Sequence, residues 1–144
     1  MANIIPDAFK LELLSGTHNF ASGGDTFKIA LYVTTLGPPY TTSSTVYSAT
    51  NEVSSSGTGY TTGGNALDGQ GVSVPGSNTA TVDFTNEVFS SVTLTSLGAA
   101  IYNSTNGSKL CLVIDFGGDK VATSGDFTIQ FPADAATTAI IQVA

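Results

Sequence analysis

The chain has 144 residues, with 4 Lys, no Arg and 11 Asp plus Glu, for a net charge of −7, and 41% of its residues are hydrophobic. That apolar fraction argues against intrinsic disorder, and the lack of clustered cations argues against nucleic acid and anionic membrane surfaces as partners. No apolar run approaches the roughly 18 residues that span a bilayer, and the length suits one domain, residues 1–144.

Residues 1–20 read as an N-terminal arm and a short helix. The opening MANIIPDAFK lacks a basic stretch followed by an apolar one, so no export signal is expected. A helix is predicted over Pro6–Leu14, with Pro6 at its first position, Asp7 at the positive end of its dipole and Gly16 as its C-terminal cap. Two turns are marginal alone, so Phe9, Leu13 and Leu14 are expected to pack on the body. In TFKIALYV, Phe27, Ile29, Leu31 and Val33 alternate with Thr26, Lys28, Ala30 and Tyr32, which predicts a half-buried strand.

Residues 34–60 form a long Ser/Thr-rich excursion, with 13 Ser or Thr among the 25 residues from 34 to 58. It is too long for a plain hairpin loop. Tyr40, Val46, Tyr47 and Val53 suit an ordered excursion with a turn of helix over Tyr47–Val53, and a mobile surface loop is the alternative. Gly63-Gly64 then marks a turn, and weaker strand signals cover Tyr60–Leu67 and Gly71–Val74.

Ala80, Val82 and Phe84 alternate with Thr81 and Asp83, and Val92 and Leu94 with Thr93 and Thr95. Asn106-Gly107, between Ala99–Asn103 and Leu110-Cys111-Leu112, predicts an antiparallel hairpin. Leu110, Leu112, Ile114 and Phe116 share one face, as do Phe127, Ile129 and Phe131. Gly117-Gly118 and Ser124-Gly125 read as turns, and Ala139–Val143 as a last, weaker strand. Short alternating strands without helical crossovers predict an all-β fold, an antiparallel β-sandwich of jelly-roll or immunoglobulin-like type with one short N-terminal helix. A small barrel is left open.

The residues offer little for catalysis. His18 is the sole histidine and Cys111 the sole cysteine, 93 positions apart, so neither a zinc set nor an intrachain disulfide is available. His18 reads as a polar contact at the base of the helix, with a catalytic base as the alternative, and Cys111 reads as a small buried hydrophobe. Asp115, Asp119 and Asp126 lie close in sequence among glycines, a pattern that suits either ordinary turns or a calcium site. Asp83 with Glu87 is a conceivable glycosidase pair. GTGYTTGG lacks the Gly-Lys-Ser/Thr ending of a phosphate loop. No enzymatic activity, cofactor or metal is therefore expected.

IIPDAFKLELLSGTHNF, DTFKIALYV, SATNEVSSSGTGYTTGGNAL and the stretch from AAIYNSTNG to the end resemble a family of small tailed-bacteriophage proteins. Glu52–Gly64 and Asp115–Ala133 carry the most specific part of that likeness. This chain has Glu87-Val88-Phe89-Ser90 where many such relatives have an aromatic strand, and its Ser54-Ser55-Ser56 run is slightly expanded. The resemblance implies a virion structural protein made in the host cytoplasm, with no catalytic residues to carry over. The reading that follows is a protein that decorates or cements the capsid, binding the major capsid protein or other virion proteins as a homo-oligomer, a trimer. Its expected partner contacts are Ile4, Ile5, Pro6, Phe9, Leu13, Tyr40 and Tyr47. A tail, neck or baseplate component that contacts the host through residues 34–60 is the first alternative, and a carbohydrate-binding or hydrolytic module the second.

Overall fold

The computed structural model describes residues 3–33 and 40–144. Alternating segments pair into two antiparallel sheets. Strands β1 (Phe27–Tyr32), β2 (Asn65–Ala66), β5 (Glu87–Asn103) and β6 (Lys109–Ile129) form one sheet in the order β2-β1-β5-β6. Strands β3 (Gly71–Gly76), β4 (Thr79–Asp83) and β7 (Ile141–Val143) form the other in the order β3-β4-β7. Helix α1 (Asp7–Leu14) precedes them. The protein is an all-β sandwich with one short helix.

The core lies between the sheets. Phe27, Ile29 and Leu31 of β1 meet Val82 and Phe84, Ile141 of β7, and Phe89, Val92, Phe127 and Ile129 of the long hairpin. Phe20 stacks on Phe27 at 4.1 Å between ring centroids, and Phe84 meets Phe27 edge-on at 6.0 Å. Such aromatic pairs add roughly 0.5–1.5 kcal/mol each beyond the area they bury.

β1 is not half-buried as its alternation predicts. Ala30 and Tyr32, on its second face, are as fully buried as its core face. They pack with Ala100, Tyr102, Leu110 and Val113 beneath Tyr40, Tyr47 and the arm residue Ile4. The part of the excursion from Tyr40 onward therefore covers this sheet as a second layer; residues 34–39 lie outside the described chain. No helix forms over Tyr47–Val53. Asn51 sits in the left-handed region at φ 58°, and the backbone there pairs across to other elements, Tyr47 N–H to Ser108 and Val53 N–H to Leu31.

The Asn106-Gly107 hairpin forms, with Asn103 opposite Lys109 and Gly107 at φ 64°. Its arms are far longer than predicted. Val92–Thr95 and Ala99–Asn103 fuse into β5, and Leu110–Phe116 and Phe127–Ile129 into β6. Gly117-Gly118 and Ser124-Gly125 do not turn the chain back. They sit where the register slips, between Ser96 and Gly98 opposite Lys120 and Asp115, and between Val92 and Leu94 opposite Gly125 and Ala122. Extra residues on one strand bend the ladder without ending it, and Gly117 (φ 73°) and Ser124 (φ 47°) absorb the strain.

Smaller differences have local causes. The expected Tyr60–Leu67 strand shrinks to β2, because Gly63 and Gly64 both take positive φ and Gly64 lies against the Ile29 carbonyl, where any Cβ would clash. In β4 the exposed residue is Ala80, while Thr81 is buried beneath Asp134. Pro6 caps α1 in extended conformation, one residue before the first helical position. Gly16 does cap its end: Thr17 N–H reaches the Glu12 carbonyl and Gly16 N–H that of Leu13, the paired bonds of a Schellman motif.

Candidate functional site

The N-terminal segment combines an anchored inner side with an outer side on which exposed leucines flank the Asp7–Lys10 ion pair. Residues spaced three and four apart share a helix face, so Phe9, Glu12 and Leu13 point one way and Asp7, Leu11 and Leu14 the other. Phe9 is 1% exposed, packed 5.1 Å from the His18 ring and edge-on to Phe20. Pro6 is also buried, and Ile4 and Leu13 are half-buried. On the outer side Ile5 is 46% exposed, Leu11 69% and Leu14 89%. The expected packing of Leu14 on the body is thus not found.

A polar network pins this segment to the hairpin. The Glu12 carboxylate accepts hydrogen bonds from Lys109 Nζ at 2.6 Å and His18 Nε2 at 2.8 Å. His18 Nδ1 accepts from Asn103 Nδ2 at 3.0 Å. The orientation of the Asn103 amide is set by the N–H groups of Thr105 and Asn106, both donating to its Oδ1, and this in turn sets the His18 tautomer. Asp25 Oδ2 collects Asn103 Nδ2, Asn106 Nδ2 and the Asn19 N–H within 2.9 Å. Burial works against the charge on Glu12, but the bonds from Lys109 and His18 outweigh it and hold the carboxyl below its ordinary value. The same balance, with the Asn19, Asn103 and Asn106 donors, lowers Asp25.

Cys111 Sγ lies 4.0 Å from His18 Nδ1, which superficially joins a thiol, a base and an orienting carboxylate. The chemistry is blocked on both sides. The thiol is fully buried and pushed up by that burial, and the Nδ1 lone pair is already held by Asn103. His18 is the polar contact at the base of the helix.

A second network holds the excursion. Tyr47 and Tyr60 each donate to Glu52 at 2.5 Å, and Gly63 N–H donates to it at 2.7 Å. Tyr60 Oη in turn accepts the Leu31 N–H, so Glu52 is tied directly to β1. Tyr102 donates to the Gly63 carbonyl and stacks on Tyr47 at 4.4 Å, and Tyr32 and Tyr40 share a 2.8 Å hydroxyl contact. Burial, then the Glu52 charge, pushes the Tyr102 phenol up to about 12. Tyr40 is buried and Tyr47 half-buried, so the fold uses both internally and neither stands as an aromatic platform. Of the seven expected contact residues, only Ile5 is exposed.

The acidic candidates separate. Asp115 accepts from Gly117 N–H and Asp126 from Ser91 N–H, while Glu87 is held by Asn65. Among the described residues no three His, Cys, Asp or Glu side chains are arranged to hold a metal ion. Sequence reasoning overlooked the structural weight of Glu52, although it is the single charge between Lys28 and Asp68, which was a usable signal. It also overlooked Leu11 as an outward residue. Comparison with known protein families, with curated proteins and with solved structures finds no match to this chain.

Proposed function

We propose that the protein is a structural component of a tailed-bacteriophage particle, decorating the capsid by binding the major capsid protein, as a trimer on the lattice. The observation that carries this reading is the pair of outward leucines on α1, Leu11 and Leu14. Leu11 and Leu14 face solvent beside the Asp7–Lys10 ion pair, on a helix whose inner side is locked by Phe9 and the Glu12–His18–Lys109 contacts. An apolar surface on a rigid mount suits permanent contact with a neighbour, since fully burying one such side chain contributes roughly 1.5–3 kcal/mol. The resemblance in Glu52–Gly64 and Asp115–Ala133 points to the same setting. The tail-contact alternative takes residues 34–60 as its surface, and of these Tyr40, Tyr47 and Tyr60 are engaged within the fold.

Reconstruction of particles assembled with and without the protein tests this. The expected result is lattice-symmetric density on the capsid, in hundreds of copies, that disappears without the protein and in Leu11→Asp/Leu14→Asp particles. Absence of such density, or tens of copies confined to the tail, would overturn the reading.

A further inference from the structure

β6 is the edge strand of its sheet, and among the described residues its outer edge carries only two isolated bridges, Val46 with Lys109 and Ile4 with Val113. At Val113 the arm is in effect a short added strand. Ile4 N–H donates to Val113 O at 3.0 Å and Val113 N–H to Ile4 O at 2.8 Å, and Asn3 Oδ1 takes the Asp115 N–H. Beyond this point no strand among the described residues pairs with that edge as far as Ile129.

A groove of about 490 Å³ follows the unpaired part. Every residue from Asp126 to Pro132 lines it, both the core-facing Phe127 and Ile129 and the outward Thr128 and Gln130. Successive side chains of a strand point to opposite faces, so the unbroken run Asp126–Ile129 at the end of β6 lines one groove by lying along it edge-on, and Gln130–Pro132 continue the lining past the strand. Ile114, Phe116 and Val121 of the same strand also line it, with Ile140 of the segment before β7. A second hollow of about 340 Å³, holding the arm's Ile4 and Ile5, shares Ile114 and Ile140 with the first, so the two run on from each other. Among the described residues the charges on the larger groove are Lys120 and Asp126, one of each sign.

We infer that this edge binds an extended, uncharged segment of a partner protein, with apolar side chains at alternate positions, by strand addition beside Asp126–Gln130. Backbone groups of an edge strand supply the affinity in this mode, and pockets for alternate side chains supply the selectivity. The arm occupies the neighbouring stretch of the same edge in this manner, with an isoleucine as the inserted residue. The balanced pair Lys120 and Asp126 favours a segment without net charge. The identity of the partner as the capsid subunit rests on the function proposed above, whereas the binding mode does not.

The test uses the full chain, isotope-labelled, with the acetylated and amidated peptide Thr-Val-Thr-Val-Thr-Val as probe. Amide resonances of Asp126–Gln130 are expected to shift and their hydrogen exchange to slow at millimolar peptide. Val121→Glu, at a position 66% exposed and so compatible with folding, should weaken binding at least tenfold, and Val74→Glu on the other sheet should leave it unchanged. No shift at these amides, equal effects of the two variants, or a concentration-dependent dimer that Val121→Glu abolishes would overturn the inference. The last outcome would mean that a second copy fills the edge. Val121→Glu at full occupancy on particles would refute strand addition to the capsid while leaving decoration intact. Wild-type protein missing from particles would refute decoration, with the peptide result still deciding the binding mode.

Discussion

Replacing Glu52 with Ala removes the acceptor shared by Tyr47, Tyr60 and the Gly63 N–H. Tyr60 is 3% exposed, and its hydroxyl is held in place by the Leu31 N–H of the central strand, so it cannot swing out to water. Leaving a buried donor without a partner costs about 1–3 kcal/mol. Tyr60 then costs about 1–3 kcal/mol, and the half-buried Gly63 N–H and Tyr47 add little because solvent can reach them. An expected loss of about 2–3 kcal/mol is a sizeable share of the roughly 5–15 kcal/mol that holds a typical domain folded. At about 2–4 °C per kcal/mol for a chain of this size, Tm should fall on the order of 10 °C. Urea unfolding followed by tyrosine fluorescence and circular dichroism measures this, since the chain has five tyrosines and no tryptophan to mask them. Glu52→Gln keeps an acceptor but loses the charge, and should cost about 1–2 kcal/mol. The reasoning fails if Glu52→Ala costs less than about 0.5 kcal/mol, because the phenols would then be satisfied without the carboxylate.

Phe9→Ala should destabilise by about 3–5 kcal/mol, the usual cost of emptying a buried aromatic site, and hydrogen exchange should show α1 opening first. Acid should also weaken the fold through Glu12 and Asp25. Both carboxyls sit below their ordinary values of 4.5 and 3.8, so their contribution is complete above those values and is lost as pH falls through the lower folded ones. Unfolding free energy measured from pH 6 to pH 2 should therefore decline, and Asp25→Asn should flatten the decline; an unchanged slope would count against Asp25. Cys111 should resist a thiol reagent in the native protein and react fully in denaturant, and fast native labelling would show that the site opens.

Local chemistry made some of this molecule legible. Asn106-Gly107 marks its hairpin because a tight reversal needs positive φ, which glycine reaches without strain. Gly16 caps the helix for the same reason, and the core faces of β1 and of Phe127–Ile129 follow from period-two alternation. The same logic misread Gly117-Gly118 and Ser124-Gly125. A glycine at positive φ reads identically whether it reverses the chain or kinks a strand that continues, and only the partner strand β5 settles which. Tyr40 and Tyr47 are legible as pins of an ordered excursion, whereas their hydroxyl partners, Tyr32 and Glu52, are set by the fold.

The chain by itself determined that alternating strands would build an antiparallel sandwich, that a two-turn helix would open it, and that few charges would be available for catalysis or steering. Those properties depend on neighbours within a few residues. Tertiary structure decided that β1 is buried on both faces, that the five tyrosines converge around β1 and Glu52, and that Leu11 and Leu14 look outward while Phe9 looks in. Each depends on what lies across space from a residue, and periodicity carries no information about which face a second layer will cover.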